Sequence, residues 1–164
     1  QNAREKGLPF AVRYPRGRGV LVEWENTPEG LKIGKGRVLC EGHEVAILSL
    51  GPLGNNVTKA IELLETENIH PTHVDMRFLK PLDEELLADI AAHHKVLITI
   101  EDGVAKGGLF SAVSEYISDH QLDNRLSHIA IDDRFVPHGD IPSLYKELGF
   151  DAEGIARVIR KAVR

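Results

Sequence analysis

The chain has 164 residues, long enough for one domain of ordinary size and too short for two. Apolar residues make up 42% and charged residues 27%, a balance that excludes a disordered chain. The net charge of −5 is unevenly placed: residues 1–19 sum to +4 and the remainder to −9, and an acidic body argues against a nucleic-acid surface.

No apolar run approaches the roughly 18 residues that a membrane-spanning helix requires. Cys40 is the single cysteine, which excludes an internal disulfide framework and a cysteine zinc site and fits a reducing, cytoplasmic compartment. The opening Gln1-Asn2-Ala3-Arg4-Glu5-Lys6 lacks the apolar stretch of a signal peptide. It reads as the continuation of a longer polypeptide.

Leu8 to Tyr14 reads as a short strand, stopped by Pro15, Gly17 and Gly19. Residues 20–36 read as a linker, with a turn at Asn26-Thr27-Pro28-Glu29-Gly30. Arg37 to Cys40 is the next strand. The tight turn Glu41-Gly42-His43-Glu44 then predicts a hairpin, hence an antiparallel pair with the strand that follows. Val45 to Leu50 is an unbroken apolar run, the pattern of a strand buried on both faces.

Beyond Gly51-Pro52, Val57, Ala60, Ile61 and Leu64 recur at helical spacing behind Asn55 or Asn56 as cap. A strand is expected over Thr72–Arg77. A helix follows from Pro81, with carboxylates in its first turn and His93-His94-Lys95 at its end, as the macrodipole favours. Val96–Ile100 is a strand, Glu101–Gly108 a loop and Leu109–His120 a helix. His128–Ile131 is a short strand, and helices are expected over 141–148 and 153–163. Strands alternating with helices imply βαβ units, so the fold class is α/β, a parallel-rich sheet with helices on both faces.

In such folds ligands sit beyond the carboxyl ends of the strands. Three loops qualify. Gly51-Pro52-Leu53-Gly54-Asn55-Asn56 lacks a full G-x-G-x-x-G and has no P-loop lysine, so it reads as a tight strand-to-helix turn. On Arg77–Asp83, Lys80 faces any anion, while Asp83 suits an N-cap. Glu101-Asp102 pairs carboxylates at a strand end, yet no matched acid–base partner is visible, so solvation or capping is the better reading.

The histidines do not make a metal site. Proline interrupts His70-Pro71-Thr72-His73, and neighbours on a helix such as His93 and His94 point about 100° apart. His138, in Val136-Pro137-His138-Gly139-Asp140, is a turn histidine beside a charge, read as packing or capping. Cys40 lies in a strand with no base beside it and is read as inert. Arg13-Tyr14-Pro15-Arg16-Gly17 is the best anion clamp in the chain. Proline stiffens it, glycine admits a close ligand, and arginine offers a fixed fork of donors that matches phosphate.

Three motifs together carry a resemblance: Val12-Arg13-Tyr14-Pro15-Arg16-Gly17, Val74-Asp75-Met76-Arg77-Phe78-Leu79-Lys80-Pro81-Leu82-Asp83, and Glu101-Asp102 with Gly107-Gly108. They resemble the C-terminal part of 1-deoxy-D-xylulose-5-phosphate synthases, over nearly all of residues 8–164. Transketolases and 2-oxo acid dehydrogenase β subunits share the later domain but usually lack Phe78, Lys80 and the Arg-Tyr-Pro-Arg-Gly string.

The resemblance implies an enzyme that condenses pyruvate with glyceraldehyde 3-phosphate, uses thiamine diphosphate and magnesium, and works as a homodimer. It implies a three-layer α/β/α sandwich of about five strands, mostly parallel with the first antiparallel. Residues 1–19 then become the tail of a pyrimidine-binding domain, residues 20–36 a linker and residues 37–164 the transketolase-like C-terminal domain.

Carried onto this sequence, the family's substrate-phosphate arginine is Arg16. The family's magnesium ligands, activating glutamate and catalytic histidines lie upstream and have no counterpart here, so no catalytic, cofactor or metal residue is assigned. Arg18-Gly19 departs from the small residues usual after the motif. The implied role is domain packing plus one arginine, in a piece inactive alone. The alternative is the C-terminal domain of a related transketolase or dehydrogenase β subunit, acting as a non-catalytic dimerisation module. No nucleic acid or membrane partner is expected.

Overall fold

A computed structural model describes residues 7 and 30–164. The chain divides into two compact units, Gln1–Ile33 and Gly34–Arg164. The second holds a five-stranded sheet in the order β1-β3-β2-β4-β5. Its strands are β1 (Arg37–Cys40), β2 (Val45–Leu50), β3 (Thr72–Asp75), β4 (Val96–Val104) and β5 (Arg125–Ile131). Its helices are α1 (Gly54–Glu65), α2 (Glu84–His93), α3 (Leu109–Asp119), α4 (Ile141–Leu148) and α5 (Ala152–Ala162).

The central strand is β2, and its sequence explains why. Five of its six residues are buried, so both faces need cover. Val45 and Ile47 face one core, with Val57, Ala60 and Leu64 of α1 and Ile155, Ala156 and Ile159 of α5. Ala46 and Leu48 face the other, with Leu87 and Ile90 of α2 and Leu109, Val113 and Tyr116 of α3. The helical spacing of each apolar set supplies the stripe that a sheet face needs. Each fully buried Leu or Ile contributes about 1.5–3 kcal/mol. The result is the α/β/α sandwich expected.

The antiparallel first strand is also present, but with a different partner. β1 pairs antiparallel with β3, not with β2, so Glu41–Glu44 is a crossover rather than a hairpin turn. Gly42 is the physical reason. Its N–H donates to Thr72 Oγ1 at 2.9 Å, and His43 N–H donates to the His70 carbonyl at 2.9 Å. The segment is thus tied across the start of β3, where a Cβ on residue 42 would collide with the His70 backbone. All other pairings are parallel.

Helix ends follow local chemistry. Asp83, Asp140 and Asp151 cap α2, α4 and α5 by accepting from Leu86, Ser143 and Gly154 N–H. Gly149, at φ 71°, ends α4 in the left-handed region. β4 runs past Ile100, where the sequence reading stops it. A register shift follows Ile100 and pairing resumes at Val104 opposite Ile131. β5 likewise begins three residues earlier than expected, because Arg125 N–H donates to the Lys95 carbonyl at 2.8 Å. Among the described residues, no helix is long and apolar enough to cross a membrane.

Candidate functional site

The rim at the carboxyl ends of the strands gathers the three loops singled out by sequence. At the first, Gly51–Leu53 forms a 3₁₀ turn that runs straight into α1, with Gly51 at φ 78°. This is the tight turn expected. Beneath it lies a pair that sequence reading missed: Ser49 Oγ and His73 Nε2, 2.9 Å apart and both buried. The Ser49 hydroxyl donates to the Val74 carbonyl at 3.1 Å. Its oxygen is then left to accept from His73, which places the imidazole proton on Nε2.

Burial drives the His73 pKa down to about 4, with Asp75 opposing and Arg37 adding slightly. The imidazole is therefore neutral at pH 7. A serine–histidine contact invites a nucleophile reading, but both groups are nearly inaccessible, at 1% exposure each. Gly54 closes over them, its Cβ position 3.1 Å from Ser49 Oγ. The pair ties β2 to β3. No sequence signal marks it, because the partners meet only through the parallel register of two strands.

At the second loop, Asp83 is a hub rather than an ordinary cap. Besides Leu86 N–H it accepts from Gly36 N–H at 2.9 Å and from Lys35 Nζ at 3.0 Å, and Lys35 also reaches Glu85 at 2.7 Å. Burial pushes the Asp83 pKa up, yet the bonds from Lys35, Gly36 and Leu86 outweigh it and hold the carboxyl below its usual range. The bond to Glu85, then that to Asp83, raises the Lys35 pKa. The lysine between Gly34 and Gly36 thus fastens the lead into β1 onto α2. Arg37 and Arg77 both approach Asp75, at 3.1 and 3.7 Å. Lys80 is exposed and stands free of ion pairs among the described residues.

At the third loop the two carboxylates separate. Glu101 is buried and its Oε1 accepts from Phe110 N–H at 3.1 Å, so it caps α3 from nine residues upstream. The capping alternative raised from sequence holds for this residue. Asp102 is half-exposed. Gly108, at the N-cap of α3, lies against the Glu101 carboxylate, and any Cβ there would fall on it. Replacing Gly108 with alanine is expected to cost about 1–3 kcal/mol in urea unfolding. The added cost should shrink in a Glu101→Ala background, where the colliding group is gone. An unchanged cost there would contradict the contact.

The remaining candidates are dispersed. His138 is exposed, and Asp140, not His138, caps α4. His93 turns to its own helix, with Nδ1 donating to the Asp89 carbonyl at 2.8 Å. His94 is buried, with Nε2 2.8 Å from Thr72 Oγ1. Cys40 Sγ lies 3.6 Å from the Pro71 carbonyl, and burial raises its thiol pKa, which keeps it protonated. Among the described residues no three His, Cys, Asp or Glu side chains converge to hold a metal. Arg16 lies outside the described residues.

Comparison with known proteins agrees with this architecture. A family model described as the transketolase C-terminal domain matches residues 34–155. The 1-deoxy-D-xylulose-5-phosphate synthase of Parabacteroides distasonis is 47% identical over 153 residues, 93% of this chain and 24% of its own length. That of Cytophaga hutchinsonii is 46% identical over 160 residues, 98% of this chain and 25% of its own. This chain therefore spans about a quarter of the length of these curated relatives. A solved split-gene transketolase, described as an inactive β4 tetramer, superposes with a TM-score of 0.73 at 32% identity, over 81% of this chain and 42% of that one. The chain belongs to the transketolase C-terminal domain family, and its sequence is similar to about a quarter of the length of 1-deoxy-D-xylulose-5-phosphate synthases.

Proposed function

We propose that this chain is the C-terminal part of a thiamine-diphosphate-dependent synthase. The whole enzyme condenses pyruvate with glyceraldehyde 3-phosphate, releases carbon dioxide and forms 1-deoxy-D-xylulose 5-phosphate for isoprenoid, thiamine and pyridoxal synthesis. Identity of 47% over 93% of the chain to a synthase of that name carries this reading. In it, residues 1–19 end a pyrimidine-binding domain, residues 20–36 link, and residues 37–164 form the C-terminal domain. Arg16 holds the phosphate of the aldehyde substrate. The enzyme works as a cytoplasmic homodimer.

Thiamine diphosphate and magnesium belong, on this reading, to the rest of the enzyme. The described residues do not fit them. Asp83 and Glu101, the buried carboxylates, are committed to helix N-termini and to Lys35, and the Ser49–His73 pair is sealed. The chain's own work is packing. Phe135 is fully exposed and Ile141 is 52% exposed on the segment after β5, apolar surface suited to another domain or subunit. Titration calorimetry of these 164 residues with thiamine diphosphate and magnesium should show no binding heat. Tight stoichiometric binding would overturn the assignment.

A further inference from the structure

The two edges of the sheet are built differently. β1 is four residues long and its pairing is interrupted by a register shift between Val38 and Cys40, which are features that blunt an edge. β5 has seven residues and no proline. Along β5, Arg125 N–H donates to the Lys95 carbonyl at 2.8 Å, and the Ile131 carbonyl accepts from Ala105 N–H at 3.3 Å. In a parallel ladder alternate residues bond the same neighbour. The odd-numbered residues thus face β4. The N–H and C=O groups of Leu126, His128 and Ala130 point to the free edge, where no other strand lies among the described residues.

Two clefts follow that edge. One, of about 470 Å³, is floored by Arg125, Leu126 and Ser127, and the other, of about 220 Å³, by His128, Ile129 and Ala130. The larger cleft also reaches Val96 of β4, so it opens between α5 and the α5-facing side of the sheet, beside the start of β5. Both are walled by Arg157 and Val158 of α5, which makes them one trench.

The charge in the trench is mainly positive: Arg125, Arg157 and Lys161 line it against one acid, the exposed Asp132 of the smaller cleft. Arg157 and Lys161, one helical turn apart, are exposed and make no ion pair among the described residues. Arg160, on the same helix, is instead held by Glu67 at 2.7 Å. The Arg125 guanidinium donates to the Ala162 carbonyl at 2.5 Å, which fixes it at the mouth of the larger cleft. Three cations therefore border a backbone strip that has no strand partner among the described residues, together with the apolar Leu126 and Val158, in a chain whose net charge is −5. The complement is an extended main chain bearing carboxylates among apolar side chains. A second copy of β5 is not that complement, since Arg-Leu-Ser-His-Ile-Ala-Ile carries no acid.

We propose that the free edge of β5 and the trench beside it dock an extended acidic segment of another polypeptide as a sixth strand. Its main chain bonds Leu126, His128 and Ala130, and its carboxylates meet Arg157 and Lys161. The probe is a capped nonapeptide of alternating valine and glutamate, titrated into the 164-residue chain with backbone amides followed by NMR. The Leu126, His128 and Ala130 amides should gain at least about tenfold protection from hydrogen exchange. A version with proline at its central positions should not bind, because it cannot complete the ladder.

Arg157→Glu with Lys161→Glu should weaken the peptide at least about tenfold and accept a valine–lysine peptide instead. These side chains are exposed, so unchanged amide shifts elsewhere will show the fold intact. Three results would overturn the proposal: no binding by wild type, equal binding of the lysine peptide to wild type, or amide protection that rises with protein concentration before any peptide is added. The last would assign the edge to a second copy.

Discussion

Acidification from pH 7 to pH 4 is expected to remove about 3 kcal/mol of stability through His73 alone. The folded imidazole titrates near 4, against 6.5 for the free side chain, because it is buried between β2 and β3. A histidine with a depressed folded pKa binds its proton more readily in the unfolded chain. Its contribution is complete above 6.5 and is lost as the pH falls from 6.5 through 4. The slope approaches about 1.4 kcal/mol per pH unit in that window.

Asp83 acts lower. Its folded pKa is held below the ordinary carboxylate value, so its contribution is present above about 4 and is lost beneath it. The two effects therefore occupy separate ranges. Urea midpoints at pH 7, 6, 5 and 4 for wild type and His73→Gln resolve the first of them. A glutamine amide reaches the Ser49 oxygen without titrating. The two stability curves should converge toward pH 4, and parallel curves would show that His73 does not titrate with folding.

The sheet's interior was legible because its chemistry is local. Val45–Leu50 is apolar without a break, and a strand so composed has to be central. Asp83 announces α2 as a capping residue, and Glu101 at a strand end suits a cap better than acid–base use, though nothing local in the sequence marks its donor, Phe110 N–H. What escaped depends on pairing distant segments. Glu41–Glu44 has every mark of a hairpin turn, and only the carbonyl of His70, near the start of β3, reveals a crossover. Ser49 and His73 look like two ordinary strand residues until the register of β2 and β3 sets them diagonally on one face, Ser49 opposite Asp75 and His73 opposite Ile47. Arg125, Leu126 and Ser127 begin β5 with a charge and a hydroxyl, too polar to read as strand, yet they floor the cleft beside α5.

Under the proposed function, replacing Arg16 with alanine in the whole enzyme carries the other large expected effect. A guanidinium fork on a phosphate makes charge-assisted, often paired hydrogen bonds, and their loss costs on the order of 2–3 kcal/mol, or about 30–150-fold in kcat/KM. The neighbours support the assignment chemically: Pro15 restricts the backbone and Gly17 lets a ligand approach it. Under the proposed function the loss should follow the phosphate and not the carbon chemistry. The deciding measurement is kcat/KM of the Arg16→Ala enzyme and its parent with glyceraldehyde 3-phosphate and with unphosphorylated glyceraldehyde as acceptors. The account expects a drop of about 30–150-fold for the phosphorylated aldehyde and little change for the other. Equal losses for both acceptors would contradict it.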